Sequence, residues 1–86
     1  MNENGFRNIS IYPNPFAKEF NIDLGKIASN AKVEIYNHLG ELIYRDYNIS
    51  SSLININIDA PQGVYILRIV NENGEQKELK IIKSNL

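Results

Sequence analysis

Leu53-Ile54-Asn55-Ile56-Asn57-Ile58-Asp59 decides the fold. Ile fills every second position against Asn, Asn and Asp, the period of a strand with one buried face and one wet face. A one-residue slip would bury three polar side chains and expose three Ile, at about 1.5–3 kcal/mol for each Ile. The strand therefore has a single facing. Upstream, Glu41 to Tyr47 alternates Leu42 and Tyr44 with Glu41, Ile43 and Arg45, and is joined backwards through Asn37-His38-Leu39-Gly40 to Lys32–Asn37. There Val33 and Ile35 point inward. Gly40 supplies the positive φ that closes a short hairpin with a bulge. Farther back, Phe20, Ile22 and Leu24 alternate with acids and Asn over Lys18–Leu24, and Asn8 to Tyr12 carries Ile9 and Ile11 before Pro13 and Pro15 stop it. Downstream, Pro61 and Gly63 mark a turn into Val64–Val70, apolar except at Arg68 and hence expected to be a central strand covered on both faces. Asn71-Glu72-Asn73-Gly74 is a second hairpin turn into Glu75–Lys83, with Leu79 and Ile81 inward and Lys77, Lys80 and Lys83 among its polar positions.

Seven such runs, punctuated by Gly, Pro and Asn, predict an all-β chain: a single small Ig-like antiparallel β-sandwich of two sheets. Eighty-six residues with 43% hydrophobic content suffice for one core and no second domain. Residues 1–7 read as a linker ahead of a domain spanning 8–86. Fourteen Ile and thirteen Asn make a strand-former and turn-former composition. One helical turn is conceivable at Ile27 and Ala28.

Composition also narrows the chemistry. The chain has no Cys, which removes disulfides, thiolate metal sites and Cys nucleophiles. Nine Lys and Arg against ten Asp and Glu give a net charge of -1, without the concentrated positive field that nucleic acid requires. No apolar run approaches the roughly 18–20 residues that span a bilayer, and no direct membrane insertion is expected. The N-terminus lacks the basic-then-apolar order of a signal peptide, so either the protein is cytosolic or its export signal lies upstream. His38, the single His, falls in a tight turn; Asp23, Asp46 and Asp59 fall on wet strand positions or turns. No acid, base and nucleophile converge, so no enzyme, cofactor or metal is expected. Exposed Tyr12, Tyr36 and Tyr47 form a candidate platform for sugar rings. The three Lys of the last strand read either as protection of a sheet edge or as a recognition signal.

Four stretches in order carry a more specific likeness. They are Ile11-Tyr12-Pro13-Asn14-Pro15, Val33 to Glu41 around Gly40, Ala60 to Ile69 with Gly63 and Tyr65, and Lys80-Ile81-Ile82-Lys83. The chain resembles the C-terminal sorting domain (type A) of Bacteroidetes proteins exported by the type IX secretion system. The resemblance spans Ile9 to about Lys83. It implies a domain at the end of a larger secreted cargo, read in the periplasm by an outer-membrane translocon and removed at the cell surface by a sortase-like peptidase. It also implies that Tyr12, Pro13, Asn14, Pro15, Gly40, Gly63, Tyr65, Lys80, Ile81, Ile82 and Lys83 carry the signal. Cleavage would fall in or before residues 1–7. A non-catalytic sugar-binding or adhesion module, and a plain Ig-like spacer, are the other readings open to the sequence.

Overall fold

The computed structural model describes residues 9–25 and 28–84. Seven strands follow in chain order: β1 (Ser10–Tyr12), β2 (Glu19–Asp23), β3 (Ala31–Tyr36), β4 (Leu42–Ile49), β5 (Leu53–Asn57), β6 (Gly63–Val70) and β7 (Gln76–Lys83). They pair antiparallel into a three-stranded sheet, β1-β2-β5, and a four-stranded sheet, β4-β3-β6-β7. No helix occurs among the described residues. Ile27 lies outside them, while Ala28 is buried.

The alternation that predicts β5 is what the core uses. Ile54, Ile56 and Ile58 are buried, with Ile56 opposite Phe20 and Ile54 opposite Ile22 on β2. Facing them from the other sheet are Val33 and Ile35 of β3, Tyr65, Leu67 and Ile69 of β6 and Ile81 of β7, all in one apolar cluster. Phe16 joins it from the β1–β2 connection, its ring 4.7 Å from that of Phe20 at a 57° tilt. On the outside of the smaller sheet Asn55 donates its amide to Asn21 at 3.0 Å, so the wet face is an Asn surface.

Three expectations need correction. Lys83 is not at an exposed position: only 8% of it is accessible, because Lys77, Leu79, Ile81 and Lys83 share the inward parity of β7. The long aliphatic stem of Lys tolerates such a place at the rim of a core. β6 is central in its sheet but covered on one face only; Tyr65, Leu67 and Ile69 are buried while Val64 is exposed. A sandwich of two layers has nothing to lay over an outer face. In β4 both Leu42 and Ile43 are exposed and Tyr44 is partly buried, because register shifts against β3 and the edge position leave little of the strand over the core.

The outer face of the larger sheet carries one cross-strand row of alternating charge. Arg45 stands opposite Glu34, Glu34 opposite Arg68, and Arg68 opposite Glu78. Arg68 lies 3.7 Å from Glu34 and 3.4 Å from Glu78. Its Nε makes no hydrogen bond among the described residues, so the contact with Glu78 is one of charge rather than of aligned donor and acceptor. The partly exposed Arg68–Glu78 pair is worth about 0–1 kcal/mol and mainly fixes register, whereas Glu34 is buried, 8% accessible, and is satisfied there by Arg68, Lys32 and the Tyr36 hydroxyl.

Candidate functional site

Asn14 joins the two ends of the domain. Both prolyl bonds flanking it, Tyr12-Pro13 and Asn14-Pro15, are cis. Its side-chain amide donates to the Lys80 carbonyl at 3.2 Å, and its side-chain oxygen accepts from the Ile82 N–H at 2.9 Å. A primary amide has the donor and acceptor of a peptide group, so here it serves β7 as a substitute strand neighbour. Two residues on, the main chain takes over. Phe16 donates to the Ile82 carbonyl at 2.9 Å and accepts from Ser84 at 2.8 Å, a parallel bridge with Lys83. The edge of β7, which would otherwise present unpaired groups, is covered from Lys80 to Ser84.

The third stretch lies directly behind. Gly63 pairs with Lys83, Val64 with Ile82 and Tyr65 with Ile81. Tyr65 is buried, and its hydroxyl donates to the Pro61 carbonyl, tying the turn before β6 to its first residues. Gly40 sits in the β3–β4 turn, with φ +82°. There Asn37 holds the loop: its side-chain oxygen accepts from the N–H of Leu39 and of Glu41, and its amide donates to the Glu41 carboxylate at 2.7 Å. This turn and the loop before β6 wall one small cleft, in which Asn37, His38 and Ile43 face Pro61, Gly63 and Val64.

Strand directions put all four stretches at one end of the sandwich. β1 runs towards that end, β3 finishes near it with Tyr36 opposite Ile66, β6 starts there and β7 finishes there. Of the sequence-predicted positions, Asn14, Lys80, Ile81, Ile82, Lys83, Gly63 and Tyr65 form one continuous unit, with Pro13 and Pro15 flanking its contact residue. Tyr12 lies in the smaller sheet opposite Asn21 and is exposed. Gly40 is close by but serves its own turn. Lys80 and Ile82 face outward and are exposed; Ile81 and Lys83 are buried. Beneath Lys83 a cleft of about 530 Å³ opens between Lys18, Asn57, Asp59 and Ser84. Sequence reasoning missed the role of Phe16. Tyr12, Tyr36 and Tyr47 form no common platform, since Tyr12 belongs to the smaller sheet and the other two to the larger one.

His38 is exposed in its turn, and no group of three or more His, Cys, Asp or Glu among the described residues is placed to hold a metal ion. Tyr36 donates to Glu34 at 2.9 Å. That bond, then burial and the carboxylate charge, raises its pKa above the usual 10.0.

These features define an immunoglobulin-like β-sandwich whose distinguishing surface is a structural junction rather than a pocket with converging acids and bases. The same architecture occurs in a DUF3244 family protein from Bacteroides vulgatus with an immunoglobulin-like β-sandwich fold, at TM-score 0.75 and 16% identity over 88% of this chain and 84% of that one. The chain belongs to the secretion system C-terminal sorting domain family, whose model matches residues 10–84. It is 33% identical over 75 residues to the ulvan lyase NLR42 of Nonlabens ulvanivorans, a match covering 86% of this chain and 14% of that protein. It is also similar to part of dimeric latent PorU from Porphyromonas gingivalis, at 25% identity and TM-score 0.62, over 91% of this chain and 9% of that one. The chain thus spans about a seventh of the length of its curated relative. It is a type IX secretion sorting domain, of the kind found on secreted Bacteroidetes proteins.

Proposed function

We propose that this domain, spanning residues 8–86 behind a linker, addresses a larger cargo to the outer-membrane translocon and performs no catalysis of its own. The cargo crosses the periplasm, and a sortase-like surface peptidase releases the domain in or before residues 1–7. The signal is the folded end built from Tyr12 to Pro15, Gly63, Tyr65 and Lys80 to Lys83, with Gly40 holding the neighbouring turn. The observation that carries this reading is the two-point contact of Asn14 with Lys80 and Ile82, which makes one surface out of stretches 66 and 68 residues apart.

A fluorescent protein carrying a signal peptide and fused ahead of the chain tests it in a host with type IX secretion. The intact fusion reaches the cell surface or medium. Lys80→Gln, at an exposed position, leaves the fold intact and reduces export. Lys83→Met keeps the buried stem and separates the ammonium from its packing. An intact fusion that stays periplasmic, in a host that exports another sorting domain, refutes the proposal.

A further inference from the structure

At the opposite end of the larger sheet, β4 and the turns beside it enclose an open cleft of about 540 Å³ lined by Asn30, Lys32, Tyr47, Asn48, Val70 and Asn71. Tyr47 is 49% exposed. Two cations stand over its ring: the Arg45 guanidinium at 5.2 Å and the Lys32 ammonium at 5.9 Å from the centroid. Arg45 has no ion pair among the described residues, and Lys32 reaches only Glu34, at 3.9 Å. Glu34 is drawn away by Arg68 and by the Tyr36 hydroxyl. The other nearby acids are engaged locally: Asp46 accepts from the Tyr47 N–H, and Glu72 accepts from the Asn30 amide. Asn71 is spent on its own turn, accepting from Asn73 and Glu75. The Asn48 side chain makes no hydrogen bond among the described residues, at a residue whose φ of +59° belongs to the left-handed region.

The cleft therefore offers an exposed aromatic ring, the Lys32 ammonium and the Asn48 amide in its wall, with the Arg45 guanidinium beside the same ring but outside the lining. An aromatic ring packs against the C–H face of a sugar, amides meet hydroxyls, and Arg and Lys meet a carboxylate or sulfate. We propose that this cleft binds an anionic saccharide, a sugar ring bearing a carboxylate or sulfate group. A plain phosphate or other small anion would leave the Tyr47 ring unused. The site lies away from the junction of Asn14 with β7, so it is independent of the sorting reading and compatible with it.

The test is native affinity electrophoresis of the whole chain at 150 mM salt through gels holding polygalacturonate, a sulfated galactan, neutral dextran or inorganic polyphosphate. Retardation is expected in one or both anionic polysaccharide gels, and which of the two retards identifies carboxylate or sulfate as the recognised group. Tyr47→Phe keeps that retardation. Tyr47→Ala and Arg45→Gln each weaken it about tenfold, with circular dichroism unchanged. Lys80→Gln retains the binding whatever it does to export. The proposal is overturned if neither anionic polysaccharide retards the chain, if dextran or polyphosphate retards it equally, or if Tyr47→Ala makes no difference.

Discussion

Asn37 and Asn71 hold two turns in the same way. In each, the Asn side-chain oxygen accepts from two downstream N–H groups, its amide donates to a Glu four residues on, and a Gly at the third position after it adopts positive φ. The shared Asn-x-x-Gly-Glu spelling at 37–41 and 71–75 was readable, although nothing in the sequence says that both turns are built alike. No atom beyond the adjoining residues lies within 4 Å of where a side chain at Gly40 or Gly74 would begin, so the cost of replacing either is conformational. Gly40→Val should lower stability by about 1–3 kcal/mol, with Gly40→Asn recovering most of it, since Asn tolerates the left-handed region. Denaturant melts check both. Tyr36 supplies a pH signature. A phenol whose folded pKa lies above its unfolded 10.0 adds stability that is fully present below pH 10 and is lost as pH rises through the folded pKa. Above pH 10 the wild type should therefore lose stability more steeply than Tyr36→Phe, measured as melting midpoint against pH.

Strands differ in how completely the sequence gives them away. β5 and β2 were legible because period-two alternation coincides with real coverage: the inward Ile and Phe meet the other sheet. Alternation assigns a residue to a face without saying what covers that face, which is why β6 looked buried on both sides and Lys83 looked exposed. At β4 the register shifts break the period itself. The Asn14 contact had no local signal whatever, since a side chain replacing a strand neighbour 66 residues away leaves no pattern in its own segment. What the motif order did convey was that the stretches belong together. Asn14→Ala should cost about 1–3 kcal/mol by leaving the Lys80 carbonyl and Ile82 N–H to water or unpaired. Asn14→Asp should cost at least as much, because a carboxylate still accepts from Ile82 but faces the Lys80 carbonyl with a charge. Ile56→Ala, in the middle of β5 and fully enclosed, should cost about 2–5 kcal/mol. Chemical denaturation ranks all three.

For the whole molecule, the two lateral sides of the sandwich are unlike. On one side the crossing from β1 to β2 runs along the edge of β7 and seals it; on the other, β4 and β5 end their sheets with no strand beyond them among the described residues. The sealed side unites the beginning and end of the domain, so the last strand is structural as well as exposed. Closing a loop of this length costs several kcal/mol of chain entropy, which the buried Phe16 and its bonds to Ile82 and Ser84 offset. Removing residues 80–86 therefore deletes a core side chain, Ile81, together with any recognition surface, and loss of export on truncation does not by itself locate a signal. Hydrogen exchange resolves the two roles. In the intact domain the Ile82 and Ser84 amides should exchange slowly, although β7 is the terminal strand of its sheet, because Asn14 and Phe16 accept from them. Asn14→Ala should accelerate Ile82 selectively while Ser84, still held by Phe16, changes little. If both amides accelerate to the rate of the whole domain, the crossing and β7 open as one unit and the composite end depends on Asn14 for its existence. If only Ile82 responds, the surface persists, and loss of export in the same variant would mark Asn14 as part of the sorting signal.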